Sequence, residues 1–395
     1  MSQSTNEHTI SRRAILSGLV PAAIVAGNGP VWSQSSPPEE RNGQFPGLIT
    51  REKEPMNLEF PFPTLASRIT PTNQFYVRSH FPIPKLEAAS WQLTIEGEVN
   101  KPFTISYAEL RALPARTVMA TLECAGNGRA GLVPKAKGLL WEEGGVGNAE
   151  WKGVPLSTLL DRAGVKADAV EIILEGADQG EITEEPKSPG TIKFARSLPL
   201  TKARQADVLI AYQMNGKDLT APHGFPVRAI IPGWYGMASV KWLTKLTLIN
   251  RPYDGYWQTM EYAYWQRKNG LPTLTPVRET QVKAQIARPA LNEIIPAGKA
   301  YRLFGAAWTG ESSLTKVEVS TDGGKTYQAA NLLDKAVPYA WQLWEYNWPV
   351  PTQAGRHTLL VKATDAKGNT QPTTHDPDRR TYMINKLSPL EVDVQ

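Results

Sequence analysis

The chain has 395 residues, enough for two or three domains, and its 41% hydrophobic and 21% charged residues are those of an ordinary globular protein. A formal net charge of +5, from 43 basic and 38 acidic residues with no dense Lys/Arg block, argues against nucleic-acid binding and leaves room for an anionic substrate. One cysteine, Cys124, excludes an intramolecular disulfide, a cysteine zinc cluster, an iron–sulfur cluster and an attached c-type haem, so any electron carrier is a separate molecule.

At the N-terminus, Ser11-Arg12-Arg13-Ala14-Ile15-Leu16 sets two arginines ahead of a moderately apolar run ending in small residues. That layout predicts a twin-arginine signal peptide over residues 1–35 and a periplasmic protein exported already folded. The run is too short and glycine-rich to span a membrane. Residues 36–63, rich in Ser, Pro, Glu and Arg, read as an extended segment wrapped on the surface.

Folded sequence follows. Residues 91–97 alternate as a strand, 107–113 read as a short helix stopped by Pro114, and 117–122 form the strand that delivers Cys124. A helix over 155–163 and strands over 170–174 and 206–212, the latter before the turn Asn215-Gly216, complete a mixed α+β domain. From about Gln281 the pattern changes. Strands over 300–308, 316–320 and 358–363, with turns at Asp322-Gly323-Gly324 and at 366–369, describe a β-sandwich. Trp341, Trp344 and Trp348 fall in its 339–349 segment and read as core and interface packing.

The chemistry centres on residues 120–129. An apolar run ends, the lone thiol follows, and two glycines let the backbone approach something bulky before an arginine. A free cysteine often packs as a small hydrophobe. The polar turn and cation behind this one suit a reactive or metal-bound thiolate, a soft ligand for a transition metal.

The run Leu122-Glu123-Cys124-Ala125-Gly126-Asn127-Gly128-Arg129 resembles the cysteine loop of the sulfite oxidase family, where that cysteine binds molybdenum held by a pterin dithiolene cofactor. Further stretches repeat the resemblance in the family's order: Phe75-Tyr76-Val77-Arg78-Ser79-His80-Phe81-Pro82, Lys137-Gly138-Leu139-Leu140-Trp141, and His223-Gly224-Phe225-Pro226-Val227-Arg228 through Pro232-Gly233-Trp234-Tyr235-Gly236 to Val240-Lys241-Trp242. It covers roughly residues 61–372.

The resemblance implies an α+β protein, with a mixed α/β molybdopterin-binding domain over 64–275 and an immunoglobulin-like β-sandwich dimerisation domain over 276–388. It implies molybdenum cofactor contacts at His80, Cys124, Arg129, Asp178, His223, Arg228 and Lys241, with Cys124 as the metal ligand. Arg78 and Arg129 match the substrate arginines, as guanidinium forks suit a small oxyanion, and Trp141 matches the pocket tryptophan. Ungapped counting from Lys241 places the active-site tyrosine at Tyr262, with Tyr264 two residues on. In one departure, many members carry an arginine shortly before the Ala-Trp segment of the second domain, where this chain reads Lys335-Ala336-Val337-Pro338-Tyr339-Ala340-Trp341.

The implied reaction is oxidation of sulfite to sulfate by oxygen-atom transfer, with electrons passed to an external acceptor such as a c-type cytochrome, in a homodimer with no haem in this chain. A sulfane dehydrogenase subunit acting on carrier-bound sulfur, or a related molybdenum oxidoreductase with another small substrate, would share the same loop. Two readings from other classes stay open at this point: a noncatalytic secreted binding module, and a cysteine-nucleophile hydrolase using His80 or His223.

Overall fold

The computed structural model describes Phe45 and residues 47–395 except Asp334; the residues read as a signal peptide lie outside these. In chain order the elements of the first domain are β1 (Ile49–Glu52), β2 (Asn57–Glu59), β3 (Gln92–Gly97), β4 (Phe103–Ser106), α1 (Tyr107–Ala112), β5 (Arg116–Glu123), β6 (Val146–Pro155) and α2 (Leu156–Ala163). There follow β7 (Glu171–Gly180), β8 (Ile192–Pro199), α3 (Leu200–Ala203), β9 (Leu209–Met214), β10 (Lys217–Asp218), β11 (Arg228–Ile230) and β12 (Leu243–Ile249), then the hairpin β13 (Ala263–Lys268) and β14 (Leu271–Pro276).

Two five-stranded sheets form this domain. One runs β10-β9-β6-β5 with β11 also on β9, the other β4-β3-β12-β7-β8, and only the β3–β12 pair is parallel. Local chemistry sets the helices. Ser106 and Glu109 form a reciprocal capping box on α1, and α2 buries Leu156, Leu159, Leu160 and Ala163, the one-face spacing of an amphipathic helix. These side chains join Leu93, Ile95, Leu174 and Leu246 in a core beneath the second sheet, each contributing ~1.5–3 kcal/mol for a large side chain.

The second domain contains β15 (Lys283–Arg288), β16 (Ile294–Ile295), β17 (Ala300–Trp308), β18 (Leu314–Ser320), β19 (Gln328–Ala329), β20 (Asn331–Leu332), β21 (Gln342–Pro349), β22 (Gly355–Asp365) and β23 (Leu390–Val394). They form sheets β15-β17-β21-β20 and β16-β23-β22-β18-β19, a sandwich. Trp344 and Trp348 fill its core, whereas Trp341 packs with Trp308, Phe304, Phe60 and Phe62 in a cluster shared with the first domain.

The extended segment expected at 36–63 differs from the structure over its described part. β1 and β2 pair as an antiparallel hairpin, and Asn57, Glu59, Phe60 and Phe62 are almost fully buried. The two phenylalanines are what that polar stretch has to bury, and the face between the domains takes them. Glu59 pays for its burial with hydrogen bonds from the Gly144 and Glu142 amides and an ion pair to Arg51.

Candidate functional site

Cys124 emerges where β5 ends. Its amide donates to the Gly145 carbonyl (2.8 Å), and its own carbonyl accepts from the Asn127 amide (2.9 Å), turning the chain back at once. Gly128 completes the turn at φ +91°, a conformation glycine adopts without strain. The thiol, 8% exposed, faces a cavity of about 640 Å³ including its mouth.

Six chain segments supply the rest of the wall. Tyr76, Arg78, Ser79 and His80 come from the segment before β3, Asp178 and Phe194 from β7 and β8, and His223, Arg228, Lys241 and Tyr262 from the second half of the domain. Asp178 arrives by a bulge: between the pairs Glu175↔Ala195 and Gln179↔Lys193, four steps on β7 oppose two on β8, which re-aims the side chain. Tyr262 follows a π-helical turn, Trp257–Glu261.

The wall is cationic. Arg228 donates to the carbonyls of His223 (3.0 Å) and Ser239 (2.9 Å), and Lys241 to the Pro222 carbonyl (2.8 Å) and the Ser79 hydroxyl (3.3 Å). Arg78 donates to the Asn57 side-chain oxygen (3.2 Å) and the Ser79 carbonyl. Neutral acceptors thus hold three cations. Burial lowers Arg228 to about 10, and burial together with the Arg228 charge brings Lys241 well below its ordinary value despite the attraction of Asp178. The one carboxylate on the wall, Asp178, is 4% exposed, is pushed up to about 6 by burial, and leaves Oδ1 without a hydrogen-bond partner.

Both histidines stay neutral. His223 accepts from the Thr220 hydroxyl at Nδ1 (2.8 Å) and donates from Nε2 to the Phe75 carbonyl (3.2 Å), and burial with the Lys241 and Arg228 charges takes it down to about 3. His80, pushed well below its ordinary value by burial and Arg78, stacks on Phe194 and shares a 2.6 Å hydrogen bond between Nε2 and the Tyr262 hydroxyl. Burial raises Tyr262, which therefore remains a phenol at neutral pH, and raises the Cys124 thiol against the pull of Arg78 and Arg129.

Two residues expected at the site do not line this cavity. Arg129 is pinned by the carbonyls of Thr381 (3.2 Å) and Leu139 (3.1 Å), near enough to act on Cys124 and His80 through its field. Trp141 is fully buried, edge-on to Tyr76 (6.0 Å), with an unpartnered Nε1. Lys335, in the stretch where many family members carry a second-domain arginine, is exposed and contributes its carbonyl to Arg68. Of the two tyrosines, Tyr262 lines the cavity, whereas Tyr264 lies on the β13–β14 hairpin opposite Thr275.

Sequence reasoning missed several contributors. Tyr76 and Ser79 sit inside a motif already singled out, so adjacency was the available signal. Arg196 had none. It is 1% exposed on β8 and donates to the Trp257 and Val277 carbonyls, which flank the segment bearing Tyr262.

The donor set fits a pterin-held molybdenum. Among the described residues no three His, Cys, Asp or Glu side chains gather to hold a metal, so a metal held here by the Cys124 thiolate would take its other ligands from the bound group. Arg228 and Lys241 suit its anionic tail, and the orphaned oxygen of Asp178 suits its N–H donors. A hydrolytic Cys–His pair is not formed, because His80 bonds to Tyr262 and His223 to Thr220 and Phe75.

Residues 80–257 match the model of an oxidoreductase molybdopterin binding domain, and residues 275–387 that of a Mo-co oxidoreductase dimerisation domain. The chain is 35% identical to sulfite oxidase of Gallus gallus over 355 residues, covering 85% of this chain and 75% of that protein. It is 31% identical to nitrate reductase [NADH] 1 of Arabidopsis thaliana over 81% of this chain and 38% of that protein. The crystal structure of the sulfane dehydrogenase SoxCD from Paracoccus pantotrophus matches with a TM-score of 0.75 and 26% identity, covering 91% of this chain and 92% of that one.

Proposed function

The chain belongs to the sulfite oxidase family of molybdopterin-binding oxidoreductases, and on that premise we propose that it oxidises sulfite to sulfate and passes the electrons to an external acceptor such as a c-type cytochrome. The observation that carries the reading is the cavity itself, where one thiol shares a wall with Arg78, Arg228 and Lys241, three cations bonded to neutral acceptors. Such a wall is short of negative charge, and an anionic cofactor tail with an oxyanion substrate supplies it.

When bound, the cofactor supplies oxygen-atom transfer and two-electron redox chemistry. The chain's own residues do the rest. Cys124 would hold the metal as a thiolate, and because burial raises its thiol, that sulfur would have to give up its proton to do so. Arg78 and the Tyr262 phenol, lining the same cavity as the thiol, donate hydrogen bonds to an oxyanion there, and neutral His80 orients the Tyr262 hydroxyl. Arg129 adds positive field at Cys124.

A homodimer formed through the second domain is part of the proposal, supported by the dimerisation-domain match over 275–387. Periplasmic location rests on the Ser11-Arg12-Arg13 leader alone. Among the described residues no helix is long and apolar enough to cross a membrane.

The test is molybdenum analysis of purified protein with sulfite-dependent reduction of ferricyanide and of cytochrome c. We expect about one molybdenum per chain with turnover, and loss of turnover in Cys124→Ser while the chain stays folded; retained sulfite oxidation in that variant would sink the assignment. The structural match to SoxCD favours one second reading, oxidation of carrier-bound sulfur, and molybdenum without sulfite turnover would select it.

A further inference from the structure

Glu123 directly precedes Cys124, and its carboxylate is 2% exposed, yet none of the site's cations serves it. Its partners come largely from the other domain. Lys283, the first residue of β15, approaches Oε1 at 3.1 Å, and Trp308, the last residue of β17, donates to Oε2 at 2.9 Å. β15 and β17 pair with Lys283 opposite Trp308, so one end of one strand pair presents both donors. Asn127 closes the arrangement by donating to Oε1 (3.1 Å), and Lys283 also reaches the Asn127 carbonyl (3.5 Å).

One ammonium therefore ties both ends of the five-residue turn that carries the thiol. The segment 381–383 adds two further bonds to the loop. The Met383 amide donates to the Ala125 carbonyl (2.8 Å), and Arg129 is bonded to the Thr381 carbonyl. Lys283 and Glu123 are both about nine-tenths buried or more, where removal of one partner strands the other's charge.

We propose that Lys283, with Trp308, is a positioning residue that fixes Cys124 through Glu123 and Asn127, making the β-sandwich domain part of the apparatus that holds the thiol in place. The inference rests on reading Cys124 as the metal ligand. In this arrangement the thiol is presented at one depth in the cavity whether or not cofactor is bound, so the loop meets its ligand already ordered.

Because Cys124 is the only cysteine, alkylation of the full-length chain reports on that thiol alone. The chain is made in a host lacking the pterin cofactor, and the initial rate with iodoacetamide is compared among wild type, Lys283→Met and Trp308→Phe. Lys202→Met is the control: it breaks another inter-domain pair, Lys202–Glu311 (2.5 Å), in which the lysine is buried and the carboxylate partly exposed, and which does not touch the cysteine turn. We expect Lys283→Met and Trp308→Phe to alkylate about tenfold faster than wild type, through local opening of the turn, with Lys202→Met near wild type although its melting temperature also falls. Rates for both within twofold of wild type, or an equal rise in Lys202→Met, would overturn the proposal. Should Lys283→Met not fold, Trp308→Phe decides, since it deletes one N–H and keeps an aromatic ring. Molybdenum retained after dialysis is measured on the same variants made in a cofactor-competent host. Wild type without molybdenum would refute the family's chemistry here while leaving the alkylation comparison readable.

Discussion

Replacing Asp178 by Asn tests the charge balance of the cavity in the cofactor-free chain. Asp178 is 4% exposed, and burial moves it from an ordinary 3.8 to about 6, with Lys241 opposing the shift. A carboxyl whose folded value lies above its unfolded one binds protons more tightly when folded, so its contribution to stability falls as pH rises between the two values. The interval from 3.8 to about 6 corresponds to roughly 3 kcal/mol, fully lost above pH 6. His223 acts in the opposite sense. Its folded value of about 3 lies below an ordinary 6.5, so it gives stability above pH 6.5 that is lost as pH falls toward 3. Both chains share that histidine, so the difference between them reports Asp178 together with Lys241, the cation coupled to it. Urea unfolding from pH 4 to 8 should show Asp178→Asn gaining on wild type progressively, up to about 3 kcal/mol above pH 6. A difference that is flat across that range, or that favours wild type at pH 8, would refute the reasoning. The same substitution should reduce molybdenum loading, because the wild-type cost is the electrostatic readiness of an acceptor for the cofactor.

Tyr262→Phe removes the hydroxyl that neutral His80 holds at 2.6 Å; losing its hydrogen bond to the oxyanion, a charged group, predicts a fall of about ten- to a hundredfold in kcat/KM for sulfite, and a change below twofold would remove Tyr262 from the reaction. Gly126→Ala would place its Cβ 2.4 Å from an Arg129 guanidinium nitrogen that the Thr381 and Leu139 carbonyls leave little room to move; we expect about 1–3 kcal/mol lost in urea unfolding, and wild-type stability would contradict the pinned geometry. Gln285, 2% exposed, has neither amide atom paired, so Gln285→Met should leave stability unchanged or raise it by about 1 kcal/mol; a loss above about 1 kcal/mol would show that the amide is satisfied in solution.

Alternation and punctuation carried much of the architecture. The strand that delivers Cys124, the capped helix after Ser106, the amphipathic α2 and the strand-only second domain were legible because period-2 and period-3.6 patterns and turn residues act within a few positions. The motif order likewise brought Arg78, His80, Cys124, Asp178, His223, Arg228, Lys241 and Tyr262 to one list before the structure gathered them on one wall. The 36–63 segment was misjudged for a related reason: its composition is polar, and burial of Phe60 and Phe62 depends on a face made by residues such as Phe304 and Trp341, far along the chain.

By itself, then, the sequence determined which residue types were available, their local conformations and the single thiol on which a metal could settle. Only the tertiary structure decided that the Thr381 carbonyl holds Arg129, that Trp141 is fully buried, that Arg196 braces the Tyr262 segment, and that Lys283 closes on Glu123 from 160 positions away. The physical reason is range. Propensity and periodicity are written over a turn or two of chain, whereas desolvation and the pairing of a buried charge depend on whatever surface the fold brings against it.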